Sequence, residues 1–259
     1  MDKYKLFFEQ QANYYMDIAK DNNQKYHINR KIEHSKRVNK LALIIGKDLK
    51  LNDQELEIIN ISSLLHDIGR FKQFYEFNTY NDEESFDHQQ KGVEILEENN
   101  ILEGVPDKII IENIIKAHDL KEIPSEYEDK TKKYLSIVKD ADKIDRLYAM
   151  INIIPKGSKE EQNIFYSNKK DINYISKNIV ERVLKNEVII KQEVETINEL
   201  KIANIALVIS DIKNKVSLEI IEKEGYIEDA FKLVDDSNEK IKIMEYIKYN
   251  LMKRIEEEL

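Results

Sequence analysis

The stretch Ser63-Leu64-Leu65-His66-Asp67-Ile68-Gly69-Arg70 sets a histidine and a carboxylate side by side at the end of an apolar run. On a helix, His66 lines up with Ser63, Ile59 and Leu56 at steps of three and four residues, the face that turns inward. A buried imidazole and carboxylate are costly unless they are paired or ligate something. A metal ion would satisfy both. The same pattern recurs along the chain. His34 falls in line with Val38, Leu41 and Ile45; His88 with Gly92 and Ile95; His118 with Ile111, Ile114 and Ile115. Asp142 interrupts the stripe of Leu135 and Val138, with Asp145 and Arg146 on the same side. Four of the five histidines and two aspartates thus point into one helical core. Many separate partners would be needed to satisfy them, or one or two divalent cations. The fifth, His27, sits in a polar context and reads as a surface or capping residue.

The elements that must position these groups are helices, because only 6 Gly and 3 Pro interrupt the chain. A helix and a loop fill residues 2–29, and a second helix runs over 30–49. Asn52 and Glu55 form a capping-box pair that opens a helix over 53–68, which Gly69 ends as a left-handed stop. Phe71, Phe74, Tyr75, Phe77 and Tyr80 lack clean periodicity, so 70–86 reads as an ordered aromatic loop or lid. Ser85 caps a helix over 87–99, Pro106 opens one over 107–118, and a fifth spans 130–153. Beyond Pro155 and Gly157 the pattern stays helical, with amphipathic segments at 172–194, 197–221 and 241–255 and breaks near Gly225 and residues 235–238. The expected class is all-α. Its metal-binding core covers 1–155, and 156–259 is a C-terminal extension packed on it as a cap, a pocket wall or a homodimer surface.

Composition narrows the chemistry. The chain has no cysteine, so any metal must rest on His, Asp, Glu or water, and a cysteine nucleophile is excluded. A net charge of −9 argues against long nucleic acid or an anionic membrane as partner, while leaving room for a local basic pocket. Apolar runs are short and the first residues, MDKYKLFFEQQ, do not have the form of a secretion signal, so a soluble, cytoplasmic protein is expected.

His34, then His66-Asp67 in LLHDIGRF, then Asp142 in VKDADKIDRL, resemble the H…HD…D signature of the HD-domain superfamily of metal-dependent phosphohydrolases. The resemblance covers about residues 30–150. It implies a helical bundle in which His34, His66, Asp67 and Asp142 bind a divalent cation. His88 and His118 stand where the family's binuclear members carry two further ligands, with Asp67 as the bridge. Asp140 is the alternative to Asp142; Ala141 before Asp142 favours the latter. The resemblance further implies one or two ions among Mn, Fe, Co, Ni, Mg and Zn, and a metal-bound water that attacks a phosphomonoester, phosphodiester or phosphoanhydride of a small molecule, a nucleotide foremost. Arg70, Lys72, Lys143 and Arg146 are the candidate phosphate-binding cations, and Asp145 could orient a ligand histidine. Two other readings share the ligand set: a di-iron oxygenase, and a metal-containing sensor or interaction module without turnover.

Overall fold

The computed structural model describes residues 3–166 and 169–257, and among them the chain is all-α, with one isolated bridge between Lys170 and Thr196. Contacts divide it into two compact units, Met1–Ala141 and Asp142–Leu259, and the division falls inside one continuous helix.

The first unit contains α1 (Lys3–Ile18), α2 (Asn22–Asp48), α3 (Asp53–Leu65), α4 (Gly69–Phe77), α5 (His88–Glu98) and α6 (Lys108–Ala117); α7 (Asp129–Asn152) begins in it. Helix α2 packs along α3 and against α1 and α4, α5 lies between α4 and α6, and α6 closes on α3. Ile28, Ile32, Val38, Ala42 and Ile45 form the buried stripe of α2. Facing it, Ile58, Ile59, Ile61 and Leu65 bury the inner side of α3. The capping box of α3 is formed as expected: Asn52 accepts from the Glu55 amide at 3.0 Å, and the Asn52 amide donates to the Glu55 carboxylate at 2.9 Å.

Five local expectations are corrected. Helix α2 begins at Asn22, not near residue 30, because the Asp21 side chain accepts from the Gln24 amide at 2.8 Å and caps a polar stretch that resembles a loop. His27 therefore lies within α2; it is buried and stacks on Phe74 with ring centroids 4.5 Å apart. Gly69 is not a left-handed stop but the first residue of α4. The first half of the aromatic stretch is not a loop or lid. Residues Gly69–Phe77 are helical, because Phe71 and Phe74 share a face that enters the core, Phe71 meeting Phe8 edge-on at 5.7 Å. Finally, α5 is capped by Asp87, whose carboxylate accepts from the Gln89 and Gln90 amides at 2.8 and 3.0 Å, and not by Ser85.

The second unit holds α8 (Lys159–Phe165), α9 (Lys177–Leu184), α10 (Ile197–Asp211), α11 (Lys215–Lys223), α12 (Tyr226–Lys232) and α13 (Asn238–Glu256). Here α10 packs against α9, α12 and α13, and α11 against α12 and α13. Breaks fall at Gly225, with φ of 66°, and before Asn238. The 172–194 segment is α-helical only over Lys177–Leu184, where Asn186, at φ of 55°, turns the chain out. The buried Glu199 ties this unit together by accepting from three backbone amides: Ser176 at 2.9 Å, Glu195 at 2.8 Å and Thr196 at 3.2 Å. No described helix is long and apolar enough to cross a membrane.

Candidate metal centre

The chain delivers its histidines from helix ends as much as from helix faces. His66 caps the C-terminus of α3 and His118 that of α6. Both fold the ring back so that Nδ1 meets the carbonyl three residues earlier, Ser63 O at 2.7 Å and Ile115 O at 2.8 Å. These are carbonyls that a helix end leaves short of amide donors. His88 is the first residue of α5, and its Nδ1 lies 2.7 Å from Asp82 Oδ2. A carbonyl and a carboxylate can only accept, so Nδ1 carries the proton in all three rings. In its neutral form each ring would then present the Nε2 lone pair.

Gly69 makes the approach possible. A Cβ on Gly69 would stand 2.3 Å from the His88 carbonyl oxygen and 2.9 Å from the Gly92 nitrogen, so the start of α4 can lie against the start of α5 only without a side chain there. Asp67, two residues earlier, is thereby held beside His88.

The carboxylate of Asp67 lies among four imidazoles. Its Oδ2 is 3.5 Å from His34 Nε2 and 3.6 Å from His66 Nε2; its Oδ1 is 3.6 Å from His88 Nε2 and 3.5 Å from His118 Nε2. Within each pair the nitrogens are close, 3.3 Å for His34 and His66 and 3.4 Å for His88 and His118. Asp142 continues α7 one residue past Ala141; His34, His66 and Asp142 offer ligand atoms within 4.8 Å of one another, as do His66, Asp67 and His118. Of the two aspartates flanking Ala141, Asp142 is therefore the one in such a group; Asp140 is buried beside it in sequence. His66, Asp67, His88 and His118 are buried, and His34 and Asp142 are half-buried. So many lone pairs converging in a place of low dielectric demand positive charge, from protons, from a side-chain cation or from a metal ion. The donor set, imidazole nitrogens and carboxylate oxygens with the imidazole Nδ1 atoms already engaged, fits divalent metal ions.

Electrostatics follow from this crowding. Burial opposes ionisation of Asp67, yet Lys31, His66, His118 and Arg70 hold its carboxyl well below the usual carboxylate range. Burial pushes the His88 imidazole below its ordinary value, against the pull of Asp67 and Asp82. The histidine is thereby kept in its ligating, neutral form.

The cations singled out in the sequence fare differently. Arg70 is buried and committed to carboxylates: Asp67 at 3.6 Å, Asp82 at 2.9 Å and Asp119 at 3.8 Å. Lys72 pairs with Glu76 on its own helix at 2.7 Å, and Lys143 with Asp211 at 2.9 Å. Arg146 is exposed, and its charge acts on Lys191. Asp145 is buried, and its charge is felt by Tyr226.

Sequence reasoning overlooked Lys31, whose Nζ is 2.7 Å from Asp67 Oδ2, although its place one turn before His34 on α2 was a usable signal. It also overlooked Asp82, and Lys139, which is buried and donates to the carbonyls of His118 (3.0 Å) and Leu120 at the end of α6. Nothing local marks either one.

Among known proteins, the family model for the HD domain matches residues 32–147. No curated protein and no solved structure matches the chain. The match spans most of the first unit and runs on into the second half of α7, and the histidine–aspartate cluster lies inside it, so residues 32–147 are similar to the HD domain, a helical fold that holds divalent metal ions.

Proposed function

We propose that this protein is a metal-dependent phosphohydrolase that cleaves a phosphate ester or anhydride of a small molecule, with nucleotides as the substrate class. One observation carries the reading: the two oxygens of Asp67 face two separate histidine pairs, Oδ2 toward His34 and His66, Oδ1 toward His88 and His118. That is the disposition of a bridging carboxylate. His34, His66, Asp67 and Asp142 would hold one ion, and Asp67, His88 and His118 a second. Such ions supply Lewis acidity, activating water at neutral pH and drawing charge from the phosphoryl group.

The chain's own residues do the rest. The Nδ1 contacts of His66, His88 and His118 fix which nitrogen faces the centre. Lys31, with its side chain one-quarter exposed at 24%, is the cation on the solvent side of Asp67. Ions bound at the carboxylate would take over its charge and leave Lys31 to donate to a phosphoryl oxygen. Arg70, surrounded by three carboxylates, holds them in place. The acidic surface, at net −9, disfavours long nucleic acid and supports a small substrate.

The test is elemental analysis of protein purified without chelator, followed by phosphate-release assays on a panel of nucleotides and other phosphate compounds after loading with Mn²⁺, Co²⁺, Ni²⁺ or Fe²⁺. Two metals per chain and release from a nucleotide are expected. No bound metal under any loading, or no release from any compound, overturns the assignment.

A further inference from the structure

His66, His88 and His118 each have a defined Nδ1 acceptor, and one acceptor differs in kind. His66 and His118 donate to backbone carbonyls of their own helices, Ser63 O and Ile115 O, so the helix itself fixes their orientation. His88, at the start of its helix, donates to the carboxylate of Asp82 at 2.7 Å. Asp82 lies in a 3-10 turn, Asp82–Glu84, within the irregular connection between α4 and α5. It is held there from the other side. Its Oδ1 accepts from Arg70 Nη1 at 2.9 Å and from Gln73 Nε2 at 2.7 Å. The same Gln73 amide donates to Ser85 Oγ at 2.8 Å and Phe86 O at 3.1 Å, and Arg70 donates to Tyr80 O at 2.7 Å. Two side chains of α4 thus clamp the connection so that one carboxylate oxygen faces His88.

We propose that Asp82 is a positioning residue for His88, fixing the tautomer that turns the Nε2 lone pair to the cluster and so governing the His88–His118 half of the centre without governing the His34–His66 half. The metal arm of this inference rests on the function proposed above; the tautomer arm does not. The chemistry makes the substitution D82N informative. Arg70 and Gln73 both donate toward Oδ1, so the oxygen of an asparagine stays with them and its NH₂ group faces His88. A donor against Nδ1 forces the proton to Nε2, the nitrogen that must be bare to ligate. Loss of such a supporting carboxylate weakens metal binding by about 10–100-fold.

The experiment is ¹⁵N NMR of the histidine rings in the metal-free full chain, with His88 assigned by the loss of its signals in H88Q, together with Mn²⁺ titration of parent, D82N and D82A. In the parent, His88 carries its proton on Nδ1. In D82N the proton moves to Nε2 for His88 while His66 and His118 keep theirs on Nδ1; one of two Mn²⁺ ions binds at least tenfold more weakly, about the lower bound for such supporting groups, and the other is unchanged. D82A gives a mixture of tautomers and a smaller loss, and serves if D82N does not fold. A His88 that keeps the Nδ1 proton in both variants, or two ions bound in both as in the parent, overturns the proposal. If the parent binds no ion, the proposed function fails, and the tautomer comparison still decides the role of Asp82.

Discussion

Lys31 Nζ lies 2.7 Å from Asp67 Oδ2, the oxygen that also faces His34 and His66. A lysine and a metal ion cannot both own that oxygen's charge. Lys31, with Arg70 on the other oxygen, balances the cluster from within the chain, and an ion entering at Oδ2 would have to displace Lys31. Replacing Lys31 with Met is therefore expected to tighten Mn²⁺ binding, measured by calorimetry, and to weaken inorganic phosphate binding to the loaded protein. Each change should be about 10- to 150-fold, since a hydrogen bond to a charged group is worth ~1.5–3 kcal/mol. Weaker metal binding in this variant would mean that Lys31 supports the site and does not compete for it.

Gly69 gives a prediction whose sign is diagnostic. Alanine is the better helix former by about 0.8–1.0 kcal/mol, so propensity alone predicts that Gly69→Ala stabilises α4. The Cβ would stand 2.3 Å from the His88 carbonyl oxygen, a backbone atom that cannot swing aside. Overpacking of this kind costs about 1–3 kcal/mol, and the expected result is a lower unfolding midpoint in urea, with His88 displaced from Asp67. A stabilised variant would show that α4 and α5 are not held this close.

Glu199 supplies acid sensitivity to the second unit. Burial opposes its charge, but hydrogen bonds from the backbone amides of Glu195, Ser176 and Thr196 lower its carboxyl below the ordinary value. A depressed folded-state pKa contributes stability that is present above the unfolded value, about 4.3, and is lost as pH falls through the folded value. Glu199→Gln should cost about 2 kcal/mol at pH 7 and progressively less as the pH is lowered below about 4. Urea melts of both proteins across pH 3–7, roughly the span in which a carboxylate of this kind titrates, read this directly. A constant difference across that range would show that the amide contacts do not depend on the charge.

Metal should stabilise the first unit by linkage. If the cluster binds Mn²⁺ in the folded state only, free ion at about a hundred times its Kd adds ~2.7 kcal/mol, and EDTA removes it. Thermal melts with and without Mn²⁺ test this. Asp67→Asn should abolish the shift, because both halves of the cluster lose their shared anion.

The helical class, the capping box of α3, the inward placement of His66, His88 and His118 and the breaks at Gly225 and before Asn238 could all be read from the chain, because each depends on neighbours within one or two helical turns. Lys31 was equally local, three residues before His34, and was missed only because a lysine on a polar helix passes for surface. Where the reading failed, the deciding contact was distant. His27 is buried because Phe74 stacks on it, and the first half of the aromatic stretch is a helix because Phe8 waits for Phe71. Gly69 looked like a helix stop since glycine usually serves there; the carbonyl of His88, from a different helix, is what requires it to be glycine.

The order of ligand types along the chain was determined by sequence alone, and with it the family that residues 32–147 match. Only tertiary structure decided how Asp67 divides its two oxygens between the histidine pairs, that Arg70 is spent on three carboxylates, and that Asp82 reaches His88. Periodicity tells which way a side chain points from its own helix. Which atom it meets depends on where another helix lies, and that is set by packing of the whole core.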